Sequence, residues 1–179
     1  MRVGAVVSLL ILATILSPGQ APEAPKVGQI APDFTLQYAT KDSIARTPLT
    51  LSKIVGQRNI IIAFFPADWS GGCTKEMCTM RDDFGSLEKL NAEILPISGD
   101  YVFAHHQWAK DENFQFRLLS DHLHSVAKVY ASYNDKYGYN KRTVFVVDRQ
   151  GKIAYEDLDY SVADNDDFNR LKDALAKLQ

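Results

Sequence analysis

Cys73 and Cys78 are the residues of this chain whose type and spacing most clearly allow covalent chemistry. Cys73 follows Ser70-Gly71-Gly72 at the end of an apolar segment, and with Ser70 as helix N-cap it is the third residue of a helix. Unpaired backbone N–H groups and the positive end of the helix dipole favour an anion there, such as a thiolate. The pattern predicts a reactive thiol at Cys73; the alternative is a small buried hydrophobe.

The spacing of the two cysteines argues against a resting disulfide. In a formed helix, five residues separate the two Cα atoms by about 8.6 Å, beyond the roughly 7 Å that a disulfide can span. A bond between Cys73 and Cys78 therefore requires the first helical turns to unwind, and Gly71 and Gly72 lower the cost of unwinding. A packed thiol without a partner is the alternative for Cys78.

The cysteines must be positioned by the strand that precedes them. In the run 59–65, the residues that would point to either face of a strand are apolar, and many are β-branched or aromatic. This pattern is typical of a strand buried on both faces. Segments 93–98 and 143–147 are further strand candidates, and a turn at 148–151 leads to a returning antiparallel strand at 152–155.

Helical patterns alternate with these strands. The clearest places Phe168, Leu171, Leu175 and Leu178 on one face near the C-terminus. Others cover 73–90 and 124–133. The alternation predicts an α/β fold of thioredoxin-like architecture, with a central mixed β-sheet flanked by helices.

Composition excludes several classes of protein. The chain has 179 residues, 46% of them hydrophobic, with 20 basic and 22 acidic side chains and a net charge of -2. Two cysteines exclude a disulfide-rich scaffold, and the charge balance gives no basic surface for nucleic acid. We expect one domain over residues 27–179.

The N-terminus has the pattern of an export signal. Arg2 precedes an uncharged apolar run from Val3 to Leu16, too short to span a bilayer comfortably. We expect a signal peptide at 1–21, a flexible linker at 22–26, and a periplasmic or secreted protein. An uncleaved membrane anchor is the alternative.

The loop before Cys73 resembles that of a known family. Pro66, Ser70 and Cys73 fit the Pro-x-x-x-Thr/Ser-x-x-Cys signature of the peroxiredoxins (AhpC/TSA, redoxin). Segment 27–36 is similar to that family's N-terminal hairpin, and 141–148 to the strand that supplies its active-site arginine. The position of Cys78 resembles the bacterioferritin-comigratory or Q-type branch, whereas 118–121 resembles the E-type branch.

The resemblance implies a role for each site residue. Cys73 is the peroxidatic nucleophile, Cys78 the resolving cysteine and Arg142 the cation that holds the thiolate and polarises the peroxide. Ser70 offers a hydroxyl to sulfur or peroxide, Pro66 shapes the loop, and Glu76 orients the arginine. Independently of the resemblance, Trp69 is a candidate for the substrate entrance, with a core aromatic as the alternative.

The implied substrate is hydrogen peroxide or an organic hydroperoxide, reduced without metal, haem or flavin. A thioredoxin-like dithiol protein is the expected reductant. Aromatic residues in 134–140 are candidates for a subunit contact in a homodimer. The alternatives are an exported thiol-disulfide oxidoreductase, which usually has Cys-x-x-Cys, and a peroxide sensor or copper chaperone. His105, His106, His122 and His124 lack the spacing of a metal site, so we expect surface or supporting roles for them.

Overall fold

The computed structural model describes residues 23–163 and 165–179, within which strands and helices alternate. The strands are β1 (Thr35–Ala39), β2 (Leu49–Thr50), β3 (Asn59–Phe64), β4 (Ala92–Ser98), β5 (Leu118–Ser120), β6 (Tyr133–Asn134), β7 (Tyr139–Asn140), β8 (Thr143–Val147) and β9 (Ile153–Asp157). The helices are α1 (Leu51–Ile54), α2 (Gly71–Asp82), α3 (Phe84–Lys89), α4 (Val102–Asp111), α5 (Ser125–Val129) and α6 (Asn165–Ala176).

Seven strands form one mixed sheet in the order β2-β1-β5-β4-β3-β8-β9. Strand β4 runs parallel to its neighbours β3 and β5. Strand β8 is antiparallel to β3 and β9, and β1 is antiparallel to β5 and β2. This topology confirms the predicted central mixed sheet flanked by helices. The loop between β3 and α2 leaves the carboxyl end of an interior strand, where α/β folds place their ligands.

Strand β3 separates two hydrophobic cores, as its continuous apolar sequence predicts. All six of its residues are buried. Ile61 and Ala63 pack in the core that contains Cys73, whereas Ile60 and Ile62 pack in the core on the other face. Fully burying each isoleucine side chain stabilises the fold by roughly 1.5–3 kcal/mol. The strand therefore holds the loop before Cys73 on a rigid base.

The C-terminal helix has the predicted apolar face. Phe168, Leu171 and Leu175 of α6 are buried and belong to the same core as Cys73. Asp166 and Asp167 lie in its first turn, where carboxylates interact favourably with the helix dipole.

Two predicted helices have different bounds in the structure. The helix expected over 73–90 is divided into α2 and α3 at Asp83, and Gly85, a poor helix former, lies just beyond the break. The helix expected over 124–133 extends only from Ser125 to Val129, because His124 and Ala131 on either side have positive φ angles of 52° and 53°.

The start of the described chain packs against the rest of the domain. Segment 27–36 forms no hairpin of its own; the Gly28 and Ala31 N–H groups donate to the carbonyls of Ile153 and Gly151 (2.8 and 2.9 Å). Within the expected linker 22–26, Ala24 and Pro25 are buried, and Ala24 joins the core opposite Cys73. The expected signal peptide at 1–21 lies outside the described residues.

Among residues 23–163 and 165–179, none of the helices has the length and apolar character needed to cross a membrane.

Candidate active site

Cys73 lies in the first turn of α2, as predicted. Ser70 is the N-cap, with φ and ψ of -66° and 140°, and the helix begins at Gly71. The first helical hydrogen bond runs from the Thr74 N–H to the Ser70 carbonyl (2.8 Å). The backbone N–H groups before Thr74 have no intrahelical partner, and the positive end of the helix dipole favours a thiolate at this helix start.

Sheet register brings Arg142 to this helix start. Thr143, the first residue of β8, pairs with Phe64, the last residue of β3. Arg142, which precedes β8, therefore lies at the end of the sheet where the chain leaves β3. The Arg142 Nη2 donates to Cys73 Sγ at 3.5 Å, while its Nη1 donates to Glu76 Oε2. The structure thus brings together three of the residues predicted for the site.

Close approach of the guanidinium depends on Gly72. A Cβ atom at Gly72 would lie 3.0 Å from Arg142 Nη2 and 3.9 Å from a Val162 methyl group. A Cβ atom at Gly71 would have no such neighbour within 4 Å. The two glycines therefore differ in function: Gly72 leaves space for Arg142, a requirement that the sequence alone did not reveal.

The Glu76 carboxylate is the buried partner of Arg142. Its side chain is fully buried, and burial raises the pKa of Glu76 to about 7 although Arg142 acts in the opposite direction. Burial lowers the pKa of Arg142, but Glu76 and Cys73 outweigh this effect and raise it, so the guanidinium stays charged. The pair places a permanent positive charge beside the Cys73 sulfur.

A small cavity adjoins this pair. It has a volume of about 20 Å³ and is lined in part by Glu76, Thr79 and Tyr160. Burial and the nearby Glu76 carboxylate raise the pKa of the Tyr160 hydroxyl, so this side chain stays neutral. The cavity has room for about one water molecule.

Ser70, Pro66 and Trp69, the other predicted residues of the loop, have contacts and exposures of their own. The Ser70 hydroxyl donates to the Ala67 carbonyl (3.1 Å) within the loop and makes no capping bond to α2. Pro66 is half-buried between β3 and the helix start. Trp69 is 49% exposed, has a positive φ of 53°, and its ring lies 6.3 Å from that of Trp108.

Cys78 contacts the end of α4. Both thiols are free, and the Cys78 Sγ donates to Glu112 Oε2 at 3.4 Å. Burial, followed by the hydrogen bond to Glu112, raises the pKa of Cys78. Because α2 is helical from Gly71 to Asp82, joining the two sulfurs requires the helix to open, as the spacing predicts.

A buried pair that sequence reasoning missed fixes the loop before Cys73. The Asp68 carboxylate and His105 Nδ1 are 2.9 Å apart, with side chains 1% and 0% exposed, and His105 Nε2 faces the Leu119 carbonyl at 3.1 Å. The Asp68 N–H also donates to Asp100 Oδ2 (3.0 Å). Burial raises the pKa of Asp68, and His105 acts against that shift. The pair anchors the loop to α4 and β5.

The other histidines have separate partners. His106 Nδ1 contacts the Thr40 carbonyl (2.7 Å), the His122 ring stacks on Tyr101 at 3.8 Å, and His124 Nδ1 contacts Asn140 Oδ1 (2.8 Å). Among the described residues, no three His, Cys, Asp or Glu side chains are grouped so that they could hold a metal ion.

The fold and the site together define a thioredoxin-like protein with a cysteine–arginine–glutamate cluster at a helix start. The model of the AhpC/TSA family matches residues 27–156. The chain therefore belongs to the AhpC/TSA family, the peroxiredoxins that the loop motif resembles.

Curated relatives agree with this assignment. The "Putative peroxiredoxin bcp" of Coxiella burnetii is 36% identical over 135 residues, covering 72% of this chain and 85% of that one. The chloroplastic peroxiredoxin Q of Triticum aestivum is 36% identical over 129 residues, covering 72% of this chain. The chain spans only 57% of the length of that wheat relative.

A solved structure confirms the fold. The peroxidoxin BcpB of Mycobacterium tuberculosis superposes with a TM-score of 0.74 and 26% identity, covering 87% of this chain and 99% of that one. The reduced 2-Cys peroxiredoxin of Plasmodium vivax gives a TM-score of 0.73 at 25% identity, covering 84% of this chain and 96% of that one.

Proposed function

We propose that this chain is a thiol peroxidase in which Cys73 reduces hydrogen peroxide or an organic hydroperoxide. The observation that carries the proposal is the contact of Arg142 with both the Cys73 sulfur and the Glu76 carboxylate. A thiolate at the start of α2 is stabilised by the helix dipole and by this guanidinium, which has further N–H donors for a peroxide oxygen. Family membership supports the same activity.

In the first step, the Cys73 thiolate attacks one peroxide oxygen and the O–O bond breaks. Cys73 becomes a sulfenic acid, and the other oxygen leaves with a proton as water or an alcohol. Arg142 stabilises the charge that moves from sulfur to the leaving oxygen. Because Cys73 is fully buried, peroxide must pass the loop that precedes it, with the exposed Trp69 at the entrance and Pro66 and Ser70 shaping the loop.

In the second step, Cys78 attacks the sulfenic sulfur after the start of α2 unwinds. The product is a Cys73–Cys78 disulfide and one water molecule. A thioredoxin-like dithiol protein then reduces this disulfide by thiol–disulfide exchange. No metal, haem or flavin takes part in these steps.

Export and self-association belong to the same proposal. The uncharged run after Arg2 supports a cleaved signal peptide and an exported protein, with an N-terminal anchor as the alternative. The exposed Tyr137 and Tyr139 rings stack at 5.7 Å beside the β6–β7 turn, and such an aromatic surface fits contact with a second copy in a homodimer.

Stopped-flow oxidation of the reduced protein by hydrogen peroxide tests the activity. We expect rapid oxidation in the unsubstituted protein and in Cys78→Ser, and none in Cys73→Ser. Rapid oxidation of Cys73→Ser would contradict the assignment of the nucleophile. Exchange with dithiol proteins but slow reaction with peroxide would favour a thiol-disulfide oxidoreductase.

The same assay tests the roles of Arg142 and Cys78. Arg142→Ala should slow the reaction of Cys73, and an unchanged rate would remove this arginine from the site. Cys78→Ser should lose steady-state turnover with thioredoxin. Turnover at the unsubstituted rate would show an enzyme that works with one cysteine.

A further inference from the structure

Cys78 is held in a specific contact at the end of α4. Its Sγ lies 3.4 Å from Oε2 of Glu112, the residue that follows the last turn of α4. The sulfur is the donor, because the carboxylate oxygen has no proton to give when ionised. The contact links the middle of α2, which must unwind for a disulfide, to a helix outside the Cys73 site.

Arg81 fixes Glu112 in place for this contact. Its Nη1 donates to the Glu112 backbone carbonyl at 2.8 Å and lies 3.6 Å from Oε2. The same guanidinium pairs with Asp82 through Nε at 2.8 Å. Arg81 therefore contacts both the backbone carbonyl and the side-chain carboxylate of Glu112, and it orients the carboxylate that faces Cys78.

The charged groups around Cys78 favour the thiol over the thiolate. Burial and the hydrogen bond to Glu112 raise the pKa of Cys78; Arg81 lowers it, and the charges of Glu112 and Asp82 raise it further. Cys73 has the opposite surroundings, with Arg142 against its sulfur. The two thiols of one helix are thus distinguished by a carboxylate at one and a guanidinium at the other.

We propose that Glu112 is a positioning residue for Cys78, which it holds as a hydrogen-bonded thiol at the end of α4 until the helix opens, so that disulfide formation is delayed. The inference rests on the proposed resolving role of Cys78. In the delayed step, Cys78 loses its proton, its sulfur bonds to the Cys73 sulfur, and the S–O bond of the sulfenic acid breaks. The hydroxide leaves with a proton as water, so Cys78 is oxidised and the sulfenic sulfur is reduced.

A consequence is a longer-lived sulfenic acid. While Cys78 stays bound to Glu112, a second peroxide molecule can oxidise Cys73 to the sulfinic acid. Weakening the contact should therefore protect Cys73 from over-oxidation at high peroxide concentration.

Alkylation of Cys78 tests directly whether the hydrogen bond to Glu112 keeps Cys78 in the thiol form. In a Cys73→Ser background, the rate of reaction with iodoacetamide is measured from pH 7 to pH 10, with and without Glu112→Gln. The glutamine keeps the shape of the side chain and the backbone bond from Arg81 but removes the charge. We expect a lower pH midpoint and a rate at pH 7.5 about three- to tenfold higher, because the thiolate is the reacting form. An unchanged pH profile would overturn the proposal.

Glu88→Gln is the matched control, since Glu88 lies on α3 and pairs with Arg58 at 3.7 Å. It removes the same charge and should leave the alkylation profile of Cys78 unchanged. A shift as large as that of Glu112→Gln would also overturn the proposal, because the effect would then come from net charge alone.

Stopped-flow oxidation of protein with both cysteines tests the consequence for the reaction. We expect the phase that forms the disulfide to be at least about threefold faster in Glu112→Gln, and a slower phase would contradict the proposed delay. If peroxide fails to oxidise Cys73 at all, the proposed function has failed. The alkylation profile still decides whether Glu112 holds the Cys78 thiol.

Discussion

Replacement of Gly72 by alanine tests whether Arg142 must approach the helix start closely. The new Cβ would lie 3.0 Å from Arg142 Nη2. Non-bonded heavy atoms of this kind reach their optimum near about 3.5 Å, so the guanidinium must move by about 0.5 Å. It cannot move without disturbing its contacts, because it also bonds to Glu76 and lies 3.5 Å from the Cys73 sulfur.

The size of the effect follows from that displacement. A misplacement of 1 Å in a catalytic group can cost about a hundredfold in rate, so 0.5 Å corresponds to about tenfold. We therefore expect the second-order rate constant for oxidation of Cys73 by hydrogen peroxide to fall about tenfold in Gly72→Ala. This is about 1.4 kcal/mol of transition-state stabilisation.

Gly71→Ala is the matched control for this experiment. A Cβ at position 71 has open space around it, and the substitution adds the same methyl group one residue earlier in α2. Each alanine stabilises the helical conformation by up to about 1 kcal/mol relative to glycine. A general effect of helix propensity would therefore appear in both variants. Stopped-flow fluorescence, with Trp69 and Trp108 near the site, gives the rates. Equal rate constants for the two variants would refute the argument.

Two buried acids give further predictions. Because the pKa of Glu76 is raised from 4.5 to about 7, the folded protein keeps a proton that the unfolded chain has lost between these pH values. Stability should therefore fall as pH rises through this range, by about 3 kcal/mol, and Glu76→Gln should lack the fall. Urea unfolding at pH 5 and pH 8 measures this loss of stability. An equal loss in the unsubstituted protein and in Glu76→Gln would contradict the role of Glu76. Asp68→Ala leaves His105 buried without its partner and should cost about 3 kcal/mol in urea unfolding. The exposed Asp82→Ala should cost little, and similar losses in both variants would exclude the anchoring role of Asp68.

The parts of the fold that depend on local pattern could be predicted from the sequence. Strand β3 is apolar on both faces, and the turn at Ser70 sets where α2 begins, so the position of Cys73 in the helix followed directly. Helix α4 was not predicted, because its buried face contains His105 beside Trp108 and Ala109. A pattern of apolar residues does not include a buried histidine, so the helix was not recognised and the contact of His105 with Asp68 was missed as well.

Contacts between distant residues could not be predicted from the residues themselves. Arg142 was identified only through the family resemblance, because sheet register, not sequence spacing, brings it to Cys73. The need for glycine at position 72 depends on that arginine. The contact between Cys78 and Glu112 depends in the same way on how α2 packs against the end of α4.

Identification of the oxidised atom shows directly whether Cys73 is the residue that reacts with peroxide. Reduced Cys78→Ser protein is treated with one equivalent of hydrogen peroxide in the presence of dimedone, which traps sulfenic acids, and the peptides are analysed by mass spectrometry. We expect stoichiometric labelling of Cys73. Consumption of the peroxide with no label on Cys73 would show that Cys73 is not the nucleophile.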